Sequence, residues 1–402
     1  MKKSLTLILA AGIALTACQN KKPLLLAAAE VQADAQPGQC PYLTKDSKGH
    51  ALLSWVRMTG DSSALFCYAV ASDGTHFGKP IVIPNSNNIL PHGENLPKII
   101  AKPSGELIAL WGAPSANLTN KYAGMVFYAQ SFDDGRSWSD PRLLTGDTAS
   151  YDQRYYDVAL MPDGEAAIIW LDNRKTPGKE GSALYFARTN GRNGFEQEHR
   201  IAESCCPCCR TDLFIDAKGG IHALYRSILQ GSVRDMVHTV STDNGKTFSS
   251  PVRISNDNWV INGCPHTGPA MTENKEGLHF AWFTGGKHKG CFYTQSKDDG
   301  GSFTPADSVS TLGSHPQLAA LADGELLTVW DETLVVDKQV HKRIGIQRRT
   351  AQGLSEGKQY ITPDDANASY PVLLPISGDS SLVAYSEKKG NHTYILYCIV
   401  SK

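Results

Sequence analysis

Three stretches share one pattern: Ser131-Phe132-Asp133-Asp134-Gly135-Arg136-Ser137-Trp138, Ser241-Thr242-Asp243-Asn244-Gly245-Lys246-Thr247-Phe248 and Ser296-Lys297-Asp298-Asp299-Gly300-Gly301-Ser302-Phe303. Each follows a strand-like run, ending in Tyr128-Ala129-Gln130, His238-Thr239-Val240 and Tyr293-Thr294-Gln295. The residue types explain themselves as a hairpin turn. The Asp carboxylate accepts hydrogen bonds from turn amides, the Gly supplies a positive φ, and the closing aromatic packs beneath the hairpin. Ser72-Asp73-Gly74 with Phe77, and Asn190-Gly191 with Phe195, are eroded copies, and Gly353 falls where another is expected.

A second signal has the same period. Trp55, Trp111, Trp170, Tyr225, Trp282, Trp330 and Tyr385 each close an apolar run that follows a Gly-containing turn, at spacings of 48 to 59 residues. A unit of that length holds four short strands, which is one blade of a β-propeller. The aromatics mark seven modules, beginning near residues 40, 96, 151, 205, 264, 315 and 370. The last stops after its third strand, at residues 394–400, and residues 24–32 are the candidate for its missing outer strand. The expected fold is an all-β propeller of four-stranded blades.

The repeated turn resembles the Asp box, or BNR repeat, of sialidases, whose propellers have six blades; the aromatic count here is seven. In a propeller the starts of first strands and the ends of second strands share one face. The Asp boxes lie on the opposite face, between strands three and four, as structural turns. The functional face therefore collects Cys40, His92, Asn95, Arg154, Tyr156, Asp157, Cys205-Cys206-Pro207-Cys208-Cys209-Arg210, Cys264, His266, His315 and Tyr370. Second-strand ends add Arg57, Asp172, Arg174, Arg226, Asp331, Glu332 and Glu387.

The chain has 39 basic and 40 acidic residues and no basic run, which gives no footing for a nucleic-acid partner. Lys2-Lys3, the apolar residues 5–15 and then Leu15-Thr16-Ala17-Cys18 resemble the signal peptide and lipobox of bacterial lipoproteins. The resemblance implies lipidation of Cys18, a tether over residues 19–38, a propeller over residues 39–402, and a monomer held in the cell envelope by its lipid. Gln19 after the lipobox favours the outer membrane.

Ten cysteines remain nine once Cys18 is set aside. Cys67, Cys291 and Cys398 sit in apolar third strands and read as buried thiols. Cys40, Cys205, Cys206, Cys208, Cys209 and Cys264 all map to the functional face. Two outcomes are open: a disulfide-stapled plug, as an oxidising envelope favours, or a soft-metal site for Cu(I) or Zn(II). In the second, Cys205, Cys206, Cys208, Cys209 and Cys264 supply thiolates, with His266 and His315 as further ligands. The cluster is similar to that of uncharacterised exported sialidase-like proteins, through Cys208-Cys209-Arg210-Thr211 and Asn258-Trp259…Gly263-Cys264-Pro265…Gly268-Pro269.

Resemblance to sialidases implies a carboxylate-clamping arginine triad, a Tyr nucleophile activated by Glu, and an Asp acid/base. Tyr370 opens the last blade, where that family keeps its nucleophile. Glu332 or Glu387 is the candidate activator, Asp157 or Asp172 the proton shuttle, and Arg226 a clamp arginine. Arg57, Arg154, Arg174 and Arg210 are possible substitutes for the other two. The departures are Gln39-Cys40-Pro41 where the family has Arg-Ile-Pro, and His at Ser314-His315-Pro316. No nucleophile elbow, phosphate-binding loop or His-Glu-x-x-His zinc helix is present in the sequence. Three functions follow: a propeller binding a ligand or soft metal in a Cys-lined funnel, an exo-α-sialidase acting on acidic sugars, or a non-catalytic glycan- or protein-binding scaffold.

Overall fold

The computed structural model describes residues 25–26, 30–60, 63–115, 123–147, 152–174 and 178–402. The lipobox at Cys18 lies outside them. Every regular element among the described residues is a β-strand.

The strands form seven successive antiparallel meanders, taken here as blades 1 to 7. Their first strands are Gly38–Lys45, Lys98–Ala101, Gln153–Leu160, Asp212–Ile215, Ala270–Asn274, Gly313–Ala320 and Ala368–Ser377. Each first strand touches the next in that order, and the seventh touches the first, so the ring closes around a central axis. Blades 3 and 4 are also joined into one sheet where Cys205 pairs with Ser227.

Closure of blade 7 uses the N-terminal stretch. Leu25–Leu26 and Val31–Gln32 both pair with its third strand, His392–Ser401, supplying the outer strand that the C-terminus lacks. Glu30 accepts a hydrogen bond of 2.5 Å from the Tyr385 hydroxyl beside this seam. Part of the stretch read as a tether is thus propeller.

The seven periodic aromatics lie in the second strands and are all 0–1% exposed. Several indoles find a polar partner there: Trp111 donates to Asn88, Trp170 to Asp172, Trp282 to Asp257 and Trp330 to Glu332. Burying such rings while satisfying their N–H is what lets one large residue per blade recur at the same site.

The three intact boxes are superimposable in their bonding. Asp133 accepts from the Ser137 amide and hydroxyl, Asp243 from those of Thr247, and Asp298 from those of Ser302. The box glycine also does a second job. A Cβ on Gly245 (φ 84°) would lie 2.4 Å from the Phe186 ring of the preceding blade. Gly135 meets Tyr68, and Gly353 meets Tyr293, in the same way. In the eroded copy near residue 191 this close contact belongs to Gly194, packed on Tyr128, rather than to Gly191.

Candidate functional site at the channel mouth

First strands line a narrow axial cavity of about 180 Å³, with Tyr42, Lys98, Asp157, Arg210, Asp212, Gln317 and Val372 contributed by six blades. At its mouth four first strands begin with a bulge: the registers shift between Gln39 and Tyr42, Arg154 and Asp157, Ser314 and Gln317, and Ser369 and Val372. Each bulge holds a non-glycine residue in the left-handed region, namely Cys40 (φ 62°), Tyr155 (56°), His315 (51°) and Tyr370 (54°). Such a conformation costs on the order of 1–3 kcal/mol per residue and concentrates at functional positions.

These bulges gather one cluster. The His315 and Tyr370 rings are 4.3 Å apart, His92 lies 5.5 Å from Tyr155 and 5.8 Å from His266, and His315 Nε2 is 3.2 Å from the His266 carbonyl. Tyr370 lies on Gly93, where a Cβ would come within 2.4 Å of its ring. Two carboxylates underlie the rings. Asp331 accepts from His315 Nδ1 and from the Tyr370 amide, each at 2.8 Å. Glu94 is buried 3.5 Å from Arg210 Nε, and its Oε2 receives no hydrogen bond.

The two histidines are driven in opposite directions. Burial, then His266 and Arg154, lowers His92 to about 4. Burial also opposes charge on His315, but the Asp331 carboxylate, its hydrogen bond and Glu94 outweigh it and raise His315 above its ordinary value. Burial, with Glu94, Asp331 and Cys40, raises Tyr370, so its phenol stays neutral.

Of the residues expected to act with Tyr370, the structure brings none of the named carboxylates to it. Asp331 and Glu332 are neighbours in a strand, so their side chains point to opposite faces. Asp331 faces Tyr370, whereas Glu332 is held by Trp330, Ser310 and Arg343. Glu387 pairs with Lys389 at 3.1 Å. Asp157 is bound by Lys98 at 2.5 Å and by the Leu213 and Val158 amides, deeper in the channel wall. Asp172 holds Trp170 and Arg174.

The arginines are equally committed. Arg226 donates to the carbonyls of Arg234 (2.9 Å) and Phe283 (2.8 Å) and lies over Trp259. Arg174 is ion-paired with Asp147, Asp172 and Glu198. Arg57 pairs with Asp34, and Arg154 grips Asp152 through two 2.6 Å bonds. Arg210 donates to Gly268 and Pro316 carbonyls and faces Glu94.

The expected metal ligands separate into two groups. Cys206, Cys208 and Cys209 are buried with their sulfurs all within 4.8 Å of one another. Cys205 ends a strand and packs in the apolar core, and Cys264 is exposed. His266 and His315 belong to the ring cluster instead, engaged with His92 and Asp331. All nine described cysteines are free thiols. Glu94 is the residue that sequence reading passed over. Its signal is Pro91-His92-Gly93-Glu94-Asn95, a Gly-containing loop entering a first strand.

Comparison with known proteins rests on shape. No protein-family model matches the sequence, and no curated protein does. Among solved structures, a protein of unknown function from Dyadobacter fermentans superimposes with a TM-score of 0.56 at 15% identity, covering 78% of this chain and 96% of its own. The intramolecular trans-sialidase of Ruminococcus gnavus gives 0.55 at 11% identity, over 83% and 98% of the two chains. The fold is a sialidase-like β-propeller. A polysaccharide lyase shares it, with a TM-score of 0.55 at 12% identity over 96% and 94% of the two chains. This sialidase-like propeller departs from its neighbours' sequences so far that the likeness speaks for architecture alone.

Proposed function

We propose that this chain is an envelope-anchored lipoprotein whose sialidase-like propeller binds a carbohydrate over the channel mouth and supplies acid–base groups to it. The observation that carries this reading is the single cluster of His92, His266, His315 and Tyr370 above Glu94 and Asp331. Flat ring faces suit the C–H face of a sugar, and convergent polar groups orient its hydroxyls. Lowered to about 4, His92 is a neutral acceptor near neutral pH, whereas the Asp331 carboxylate favours the protonated form of His315. Groups pushed apart at one mouth are the arrangement that acid–base catalysis uses. The sialidases and the polysaccharide lyase among the structural neighbours support a carbohydrate over other ligand classes.

Exo-α-sialidase chemistry is the narrower version. It keeps Tyr370 as nucleophile but gives the activating role to Glu94 in place of Glu332. It also needs a carboxylate clamp, and Arg226 and Arg174 are already engaged within the fold. A wider acidic or neutral glycan therefore fits better than a strict sialoside.

The test uses residues 19–402, the chain without its lipidated Cys18, on a panel of oligosaccharides that includes sialosides. Binding should be lost in His92→Ala and Tyr370→Ala with the thermal midpoint retained. Absence of binding to any saccharide would sink the reading, and sialoside cleavage abolished by Tyr370→Phe would establish the narrower one. Cys18→Ser should move the protein from the membrane to the soluble fraction; retention in the membrane would overturn the lipid anchor.

A further inference from the structure

Cys206-Pro207-Cys208-Cys209 forms a tight turn between the outer strand of blade 3 and the first strand of blade 4. Proline at the second position presets the turn, and the Cys206 amide is pinned to the Arg226 carbonyl at 2.8 Å. The turn gathers three thiols that a strand would have splayed to alternate faces. Sγ of Cys206 lies 3.7 Å from that of Cys208 and 4.0 Å from that of Cys209. A disulfide would need about 2.05 Å.

Three sulfurs placed about 2.3 Å from one ion in a trigonal plane lie about 4.0 Å from each other. The two distances from Cys206 match that spacing, and all three sulfurs lie within 4.8 Å of one another. Among the described residues no fourth Cys, His, Asp or Glu atom joins the group. Zinc in structural sites takes four ligands, whereas soft thiolates select Cu(I). The trio belongs to a buried apolar cluster with Tyr155, Leu213 and Tyr225, surroundings that disfavour water as a fourth ligand. The buried Arg226 guanidinium acts on Cys206 and Cys209, and Arg154 interacts electrostatically with Cys208, so both offset part of the negative charge of three thiolates.

We propose that Cys206, Cys208 and Cys209 bind one Cu(I) ion as a three-thiolate site beside the channel mouth. Binding is ligand exchange: three S–H bonds are lost, three Cu–S bonds form, three protons leave to solvent, the chelator that delivered the ion departs, and copper stays Cu(I) throughout. The three thiols are distinct from the groups proposed to hold a saccharide, with the buried Tyr155 packed between them and His92.

The experiment uses the mature chain, reduced and handled without oxygen, titrated with Cu(I) against a chromophoric Cu(I) chelator. One ion per chain is expected, and copper X-ray absorption should show three sulfurs at about 2.3 Å. Cys208→Ser should weaken binding by about 100-fold or more, since removing even an outer-shell partner costs 10–100-fold. Cys205→Ser and Cys264→Ser should leave it unchanged. The absorption spectrum of the unaltered protein decides the matter even if a variant fails to fold. Failure to retain Cu(I), a two- or four-sulfur spectrum, tight Zn(II) binding in place of Cu(I), or loss of binding in Cys264→Ser would each overturn the assignment.

Discussion

Arg210 joins four blades at the mouth, and its removal gives a sharp expectation. Its guanidinium is 4% exposed, faces Glu94 at 3.5 Å, and donates to the carbonyls of Gly268 and Pro316. It therefore ties blades 2, 4, 5 and 6 together. Two unit charges at that separation attract by about 5 kcal/mol at an effective dielectric of about 20. Breaking a buried pair by removing one partner typically costs about 3–5 kcal/mol, because the other charge is left uncompensated. Arg210→Met keeps most of the stem volume, so the expected loss is about 4 kcal/mol. Glu94→Gln in the same background should recover about half, because the charge left without its partner is then removed. Guanidinium chloride unfolding followed by tryptophan fluorescence measures both, and the double-mutant cycle isolates the pair. Additive losses from the two single changes, or a loss below about 1 kcal/mol for Arg210→Met, would refute the idea that this pair holds the blades.

Asp212, in the channel, is raised to about 7 by burial and then by Asp157, with Arg210 and Lys98 opposing. Between the ordinary carboxylate value and about 7 the folded chain holds a proton that the unfolded chain has released, so stability falls as pH rises. Asp212→Asn should flatten the thermal midpoint across that window and stabilise the protein above it; parallel profiles would contradict this. Gly245→Ala, forced into positive φ against Phe186, should cost about 1–3 kcal/mol in chemical denaturation while leaving copper binding intact. Deleting residues 19–33 removes the outer strand of blade 7 and the Glu30–Tyr385 bond, and calorimetry should show a midpoint several degrees lower.

Much of the architecture was legible along the chain because a propeller repeats one local unit. The aromatic period and the Asp boxes report contacts within a blade or between consecutive blades, and those are close in sequence. Seven aromatics correspond to seven meanders, and the candidate outer strand at residues 24–32 contains the strands that close the ring. Even the face was legible for Cys206, Cys208, Cys209, His92, His315 and Tyr370, since strand ends alternate in a fixed order. Choosing among neighbours was harder. Asp331 and Glu332 differ by one position, and a single-residue step in a strand reverses the side chain. The bulge between Ser314 and Gln317 sets which of them meets His315 and Tyr370.

Sequence by itself determined the repeat, the blade as its unit, and the crowding of cysteines at residues 205–209, because each is a matter of spacing. Tertiary structure alone decided which charges are spent on the scaffold. Arg226 and Arg174 read as clamps but are bound within the fold, Glu94 gained its place by packing beneath Tyr370 and beside Arg210, and Cys205 and Cys264 fell away from the thiol trio. Those outcomes depend on residues up to hundreds of positions apart meeting around one axis, and local pattern carries no record of such meetings.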